Sequence, residues 1–220
     1  MTADKQFDLS IAIPKGYLFD VCVQMLNNAG FDTGCLFHDS RKLFTFSEGD
    51  RIRYIIARPM DVPVYVEHGA CDIGFCGKDV VEEVAGNVME LADLNNGNCR
   101  VIVAVPENKT GKVREKYEHF GSVKVATKYP NIARRFFEKK GMQVEIIKLY
   151  GSIELAAVLG IADEILDITA TGSTLKDNNL VEMECVMNST TRLISNPVSY
   201  RAKFKIINDL MVRLLKQKSQ

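Results

Sequence analysis

An internal repeat constrains this chain's fold more than any other sequence feature. Ile55-Ile56 is followed by Gly69-Ala70-Cys71-Asp72 and a new apolar run, and Ile146-Ile147 by Gly160-Ile161-Ala162-Asp163 and another, at a shared offset of 91 residues. Ahead of each copy stands a β-prone segment (9–13; 123–126), a lysine at its end (Lys15; Lys128) and a segment of helical spacing closed by glycine (Gly30; Gly141). Short apolar runs at 54–57, 72–76, 101–105, 144–149 and 165–168 alternate with helix-period stretches such as 131–140, the pattern of α/β units. Two matched units in register predict two α/β lobes of similar build. No Pro/Gly/Ser-rich linker separates them, so short crossing strands are expected, with 101–105 and 192–195 as the candidates. The expected division is lobe I at 1–100 with 196–220 and lobe II at 101–195, a small ligand occupying the cleft between them. From Arg201 onward, Phe204, Ile207, Leu210, Met211 and Leu214 share one face, an amphipathic helix expected to pack on its own lobe.

Composition narrows the function. Lys plus Arg total 28 and Asp plus Glu total 28, a zero balance that argues against a nucleic-acid coat or a polybasic membrane binder. The longest run without a charge, 21–31, has 11 residues and contains Asn27, Asn28 and Gly30, too short and too polar to span a bilayer. The opening residues lack the apolar core of a signal peptide, so a cytoplasmic address is expected. Cysteines at 22, 35, 71, 76, 99 and 185 form no CxxC pair, and His38, His68 and His119 are scattered. No protein metal site is expected, and the thiols read as buried and free.

The segment Asp167-Ile168-Thr169-Ala170-Thr171-Gly172-Ser173-Thr174-Leu175 carries the strongest chemical signal. A strand at 165–168 runs into a loop with hydroxyl side chains and one glycine. Such a loop can turn backbone N–H groups and hydroxyls onto a phosphate, because glycine permits tight curvature and close approach. Asp167 would then stand beside sugar hydroxyls. The same residues equally suit a Ser/Thr-rich turn that caps a helix, and the loop lacks the lysine of a Walker A motif. A second signal is a set of cations at turn positions after strands: Lys15, Arg41, Arg58 and Lys78. Strand ends in α/β lobes face the ligand crevice, so together these would suit a polyphosphate, though each alone reads as a solvated loop charge. No GxGxxG follows the first strand, which excludes a nucleotide-dependent dehydrogenase of the usual kind. A non-catalytic module that captures a small anion is the alternative from another class.

Several blocks, in order from about residue 9 to 200, resemble the ATP phosphoribosyltransferases, which open histidine biosynthesis. They are IAIPKG at 11–16, ARPMDVPVYVEHGACDIG at 57–74, GKD at 77–79, ATKYPNIAR at 126–134, LYGSIELA at 149–156 and DITATGSTL at 167–175. The resemblance implies a two-lobed fold like that of periplasmic binding proteins, with the active site in the inter-lobe cleft. The implied reaction joins adenine N1 of ATP to the anomeric carbon of phosphoribosyl pyrophosphate, releasing pyrophosphate. It implies that Thr169, Ala170, Thr171, Gly172, Ser173 and Thr174 hold the sugar 5-phosphate and that Asp167 meets the ribose hydroxyls. Lys15 and Arg58, as catalytic cations, and Arg41 would face pyrophosphate or ATP phosphates. Asp72 and the Gly151-Ser152-Ile153-Glu154 turn, through Gly151, Ser152 and Glu154, would line the remainder. Mg²⁺ is implied as a passenger on pyrophosphate oxygens. The length resembles the short form of the family, which implies a dimer associating with a regulatory subunit resembling histidyl-tRNA synthetase. The family usually has arginine after Pro-Lys-Gly, and Tyr17 stands there instead, so another cation or stacking on its ring must replace that contact. The chemistry requires no protein nucleophile, only alignment and stabilisation of the leaving group. No general base is assigned, because neutral adenine N1 carries no proton.

Overall fold

The computed structural model describes residues 7–37 and 44–216. The chain divides into two compact units, 1–97 with 190–220 and 98–189. In chain order the first unit contributes β1 (Leu9–Pro14), α1 (Tyr17–Asn28), β2 (Phe44–Ser47), β3 (Ile52–Ala57), α2 (Val62–Glu67), β4 (Ile73–Gly77), α3 (Lys78–Val84) and β5 (Met89–Asp93). The second holds β6 (Cys99–Pro106), α4 (Lys112–Phe120), β7 (Val123–Thr127), α5 (Pro130–Lys139), β8 (Val144–Lys148), α6 (Ile153–Val158), β9 (Glu164–Thr169), α7 (Ser173–Asp177) and β10 (Leu180–Ser189). The chain then returns to the first unit as β11 (Thr191–Ser195), α8 (Pro197–Ala202) and α9 (Phe204–Lys216).

The first sheet has the order β2-β3-β1-β4-β11-β5 and the second β10-β6-β9-β7-β8. In the first, β1 is parallel to both β3 and β4; in the second, β7 is parallel to both β8 and β9. Because the two partners flank the central strand, right-handed crossovers send successive helices to opposite faces. Strand alternation supplies both faces with apolar side chains. Leu9, Ile11 and Ile13 of β1 meet Cys22 and Leu26 of α1, while Ala12 meets Val62 and Val66 of α2. In the second unit Ile102, Ala126 and Ile165 pack on Ile153, Ala156 and Ala157 of α6.

The repeat has a physical basis. Gly69 and Gly160 have φ of +72° and +73°, the left-handed turn that swings the chain from α2 and α6 into the next strand. The aspartate three residues later does the same work twice. The Asp72 N–H donates to the Ser10 carbonyl at 3.0 Å, and the Asp163 N–H to that of Lys124 at 2.8 Å. Each carboxylate accepts the N–H of that same residue, the second of the central strand, at 2.8 and 2.9 Å. Each also pairs with a lysine, Lys203 at 2.8 Å and Lys116 at 2.6 Å.

Neither expected crossing strand crosses. Strand β6 lies wholly in the second sheet between β10 and β9, and β11 wholly in the first between β4 and β5. The backbone passes between units at Gly97–Asn98 and Ser189–Thr190 rather than at 100 and 195, because β11 completes its ladder with β4 and β5. The C-terminal helix packs on its own unit. Ile207, Leu210 and Leu214 join the cluster of Leu9, Ile11 and Leu26, each burial worth roughly 1.5–3 kcal/mol relative to exposure. Phe204, in the first turn of α9, stays 52% exposed and meets the Tyr200 ring edge-on. Cys22, Cys71 and Cys76 are buried, and burial pushes Cys71 up to about 12; Cys185, against expectation, is exposed on edge strand β10. Among the described residues no helix is long and apolar enough to cross a membrane.

Candidate active site

In the second unit a cavity of about 310 Å³ opens beyond the C-terminal ends of parallel strands β7 and β9, where α/β sheets bind ligands. Ile102 and Ile165 of the core reach its floor, and four chain segments bring polar groups to it. Lys128 and Tyr129 follow β7. Tyr150, Gly151, Ser152 and Glu154 form the turn into α6. Asp167 and Thr169 end β9, and Thr174 opens α7. Of the residues expected in the site, the structure thus brings together Gly151, Ser152, Glu154, Asp167, Thr169 and Thr174.

The hydroxyl loop is braced from within. Gly172, at φ +78°, precedes α7, and its N–H donates to the buried Thr169 Oγ1 at 3.0 Å. The Thr171 and Ser173 hydroxyls lie 3.0 Å apart. A Cβ at Gly172 would meet nothing within 4 Å, so its backbone angle, not crowding, demands glycine here. Thr169 therefore shapes the loop, while Ala170, Thr171, Ser173 and Thr174 are exposed. Ala170, Thr171, Gly172 and Ser173 are not in the cavity wall itself. Across the cavity Ser152 sits at φ +48°, a left-handed conformation that costs a non-glycine residue roughly 1–3 kcal/mol and is typical of functional sites.

Sequence reasoning left Lys128, Tyr129 and Tyr150 out of the site. The strand-end position of Lys128 in the repeat was the available signal, and it reads no differently from a solvated loop lysine. Its side chain is half-buried and has no hydrogen-bond or ion-pair partner among the described residues. Tyr150 is almost fully exposed, with the Lys148 ammonium 5.4 Å from its ring centre.

In the first unit, Lys15 and Arg58 follow β1 and β3 directly. Pro14 and Ala57 pair in register, and the Lys15 N–H donates to the Ala57 carbonyl at 2.7 Å, so the two cations leave the sheet side by side. Both are exposed and neither has an ion-pair partner among the described residues. Tyr17 opens α1, 64% exposed. Arg41 lies outside the described residues.

Two expected ligands are committed elsewhere. Lys78 is held by Glu90 at 2.7 Å and Glu82 at 3.0 Å. Asp72 precedes β4 at the opposite end of the sheet from Lys15 and Arg58, and its carboxylate is 7% exposed. It accepts from the Ser10 N–H and hydroxyl and from Lys203. Burial alone would push its pKa up, yet hydrogen bonds from Lys203, Ser199 and Ser10 hold it below the usual carboxylate value. Asp72 is a structural carboxylate, the counterpart of Asp163. Among the described residues no three His, Cys, Asp or Glu side chains are grouped to hold a metal ion, and Asp167 and Glu154 are the carboxylates of the cavity wall.

The arrangement can accept hydroxyl groups at carboxylates and an anion at hydroxyls and an ammonium, as a sugar phosphate requires. The family model for ATP phosphoribosyltransferase (HisG) matches residues 58–216. The ATP phosphoribosyltransferase of Rubrobacter xylanophilus is 46% identical over 203 residues, covering 92% of this chain and 93% of that protein. Among solved structures, the ATP phosphoribosyl transferase (HisG:HisZ) complex from Thermotoga maritima aligns with a TM-score of 0.79 and 35% identity, over 94% of this chain and 97% of that one. Tv2483 bound to L-arginine aligns at 0.64 and 12% identity over 96% and 84% of the two chains. A periplasmic sulfonate-binding protein, SsuA, from Methylobacillus flagellatus aligns at 0.59 and 12% over 96% and 68%. At that identity the last two speak to fold alone, and the fold is periplasmic-binding-protein-like.

Proposed function

The chain belongs to the ATP phosphoribosyltransferase family, whose reaction is the first step of histidine biosynthesis, and from that premise we propose how its residues share the work. The second-unit cavity receives phosphoribosyl pyrophosphate. Asp167 accepts hydrogen bonds from the ribose hydroxyls, with Glu154 and the Ser152 turn beside it. Thr174, with Thr171 and Ser173 on the exposed rim, donates to the 5-phosphate, on a loop that Thr169 and Gly172 hold in shape. Lys15 and Arg58 meet the phosphates of pyrophosphate or ATP. The observation that carries this reading is the convergence of Asp167, Glu154 and Thr174 on one cavity beyond the ends of β7 and β9.

Adenine N1 attacks the anomeric carbon with its own lone pair, so no side chain needs to remove a proton or form a covalent intermediate. As the carbon gains oxocarbenium character, charge grows on the departing pyrophosphate. Guanidinium and ammonium groups aimed at that charge stabilise the transition state more than the bound substrate, and one such donor is worth on the order of 10²–10³ in rate. When bound, Mg²⁺ would neutralise pyrophosphate oxygens; an ion that retains waters and leans on substrate phosphates suits a wall with two carboxylates and no cage.

The working assembly is a dimer that joins a regulatory subunit resembling histidyl-tRNA synthetase, a reading supported by the Thermotoga relative having been solved as a HisG:HisZ complex. It operates in the cytoplasm, with its nucleotide substrates, and binds neither nucleic acid nor membrane. The test is to mix the protein with ATP, phosphoribosyl pyrophosphate and Mg²⁺, adding pyrophosphatase, and to follow the ultraviolet change of N1-alkylated adenine. The change is expected, and its absence even with the regulatory subunit supplied would overturn the reading.

A further inference from the structure

We propose that Lys128 binds a phosphoryl group of the ribosyl substrate, making it a substrate-positioning cation beyond the hydroxyl loop. The inference rests on the assignment of the second-unit cavity to that substrate and names one more residue within it.

Three observations converge. First, Lys128 is half-buried in the cavity wall and has no partner among the described residues. Two other half-buried cations of this unit are matched, Lys116 with Asp163 at 2.6 Å and Arg100 with Glu182 at 2.7 Å; Lys109, also half-buried, has no ion pair among the described residues but lies outside this cavity wall. An ammonium that loses hydration without gaining an anion is disfavoured, so a cavity that keeps one is matched to an anion from outside. Second, two carboxylates, Asp167 and Glu154, share that wall, yet Lys128 pairs with neither. The separation leaves room for a ligand that presents hydroxyls to the acids and negative charge to the lysine, as a sugar phosphate does. Third, the repeat places Lys128 where Lys15 stands in the first unit, immediately after the central parallel strand. The central parallel strand of each sheet is thus followed by a lysine at its C-terminal end.

Either phosphate of the ribosyl substrate supplies the required chemistry, so ribose 5-phosphate and inorganic pyrophosphate are titrated separately beside the complete substrate. Calorimetric titrations of the full chain, Lys128→Gln and Lys128→Arg are made at low and moderate salt, with Lys124→Gln, an exposed residue at the other end of β7, as control. Hydrogen bonds to charged groups contribute about 1.5–3 kcal/mol, so Lys128→Gln should weaken phosphoribosyl pyrophosphate binding by roughly 10- to 100-fold. Lys128→Arg should recover most of the loss, and the salt dependence of binding should shrink in the glutamine variant. Whichever fragment loses affinity in parallel identifies the phosphate. A Lys128→Gln affinity within twofold of the parent, or an equal loss in Lys124→Gln, overturns the proposal. A parent chain that binds no phosphoribosyl pyrophosphate instead removes the cavity assignment itself. Should the glutamine variant unfold early, Lys128→Met against Lys128→Arg makes the same comparison with matched bulk.

Discussion

Replacing Asp72 with alanine separates a structural carboxylate from a ligand-binding one. Its side chain accepts from the Ser10 N–H at 2.8 Å, the Ser10 hydroxyl at 2.9 Å and Lys203 at 2.8 Å, and these bonds tie β1, β4 and the start of α9 together. Removing it strands the buried Ser10 donors, at about 1–3 kcal/mol. It also breaks a pair whose carboxylate is buried; full burial of both partners would put that loss at about 3–5 kcal/mol, and the 33%-exposed Lys203 can partly rehydrate. We expect Asp72→Ala to lose about 3–5 kcal/mol of stability and Asp72→Asn, which keeps acceptors, about 1–3 kcal/mol. Asp163→Ala, whose lysine is 41% exposed, should lose less than Asp72→Ala. The chain has no tryptophan, so urea unfolding is followed by far-ultraviolet circular dichroism. The pH dependence has a fixed sign. Because the native carboxylate is held below its ordinary value of 3.8, its stabilisation is present above that pH and is lost as pH falls through the native value. Asp72→Asn should lack this component. A stability loss under 1 kcal/mol in Asp72→Ala, together with collapse of substrate binding, would refute the structural role.

Three further outcomes follow from the same geometry. Gly172→Val should fold but bind phosphoribosyl pyrophosphate at least about tenfold more weakly by calorimetry, since a β-branched residue resists the left-handed backbone the loop needs; unchanged affinity removes the loop from the phosphate site. Arg58→Ala should lower kcat on the order of 10²-fold with little change in either KM, and a raised KM with intact kcat would make Arg58 a ground-state clamp. Glu164→Gln should flatten the pH dependence of stability between about 4.5 and 7. Burial, with Asp163 and Glu184 nearby, raises Glu164 to about 7, and its Oε2 has no hydrogen-bond partner among the described residues. The native state therefore holds a proton the unfolded state has released, and up to about 3 kcal/mol is lost as pH rises through that window. Parallel profiles for parent and variant would contradict this.

Much of the fold was legible because the repeat is written in residues with strong local preferences. Gly69 and Gly160 mark left-handed turns, Gly30 and Gly141 mark helix ends, and the apolar runs at 9–13 and 123–126 become the central strands. What escaped was structure whose residues face water. Strand β10 alternates Glu182, Glu184 and Asn188 with apolar residues at a sheet edge, so no continuous run announces it. Helix α4 buries only Val113. The site divided the same way. Asp167, Thr169 and Thr174 stood in one motif, whereas Lys128 and Tyr150 arrive from other segments and only the folded sheet joins them. Asp72 misled because a carboxylate before a strand has the same spacing whether it binds a ligand or a neighbouring strand. The Gly-Xaa-Xaa-Asp repeat held the clue, since Asp163 sits in the same place.

The central claim is that the second-unit cavity holds the ribosyl substrate, and a crystal of the chain soaked with phosphoribosyl pyrophosphate tests it most directly. The account predicts the ribose hydroxyls on Asp167, the 5-phosphate within hydrogen-bond distance of the Thr174 hydroxyl, and a phosphoryl oxygen on the Lys128 ammonium. Sugar-phosphate density that lies away from Asp167 and Thr174, or that displaces Lys203 to reach Asp72, would contradict it.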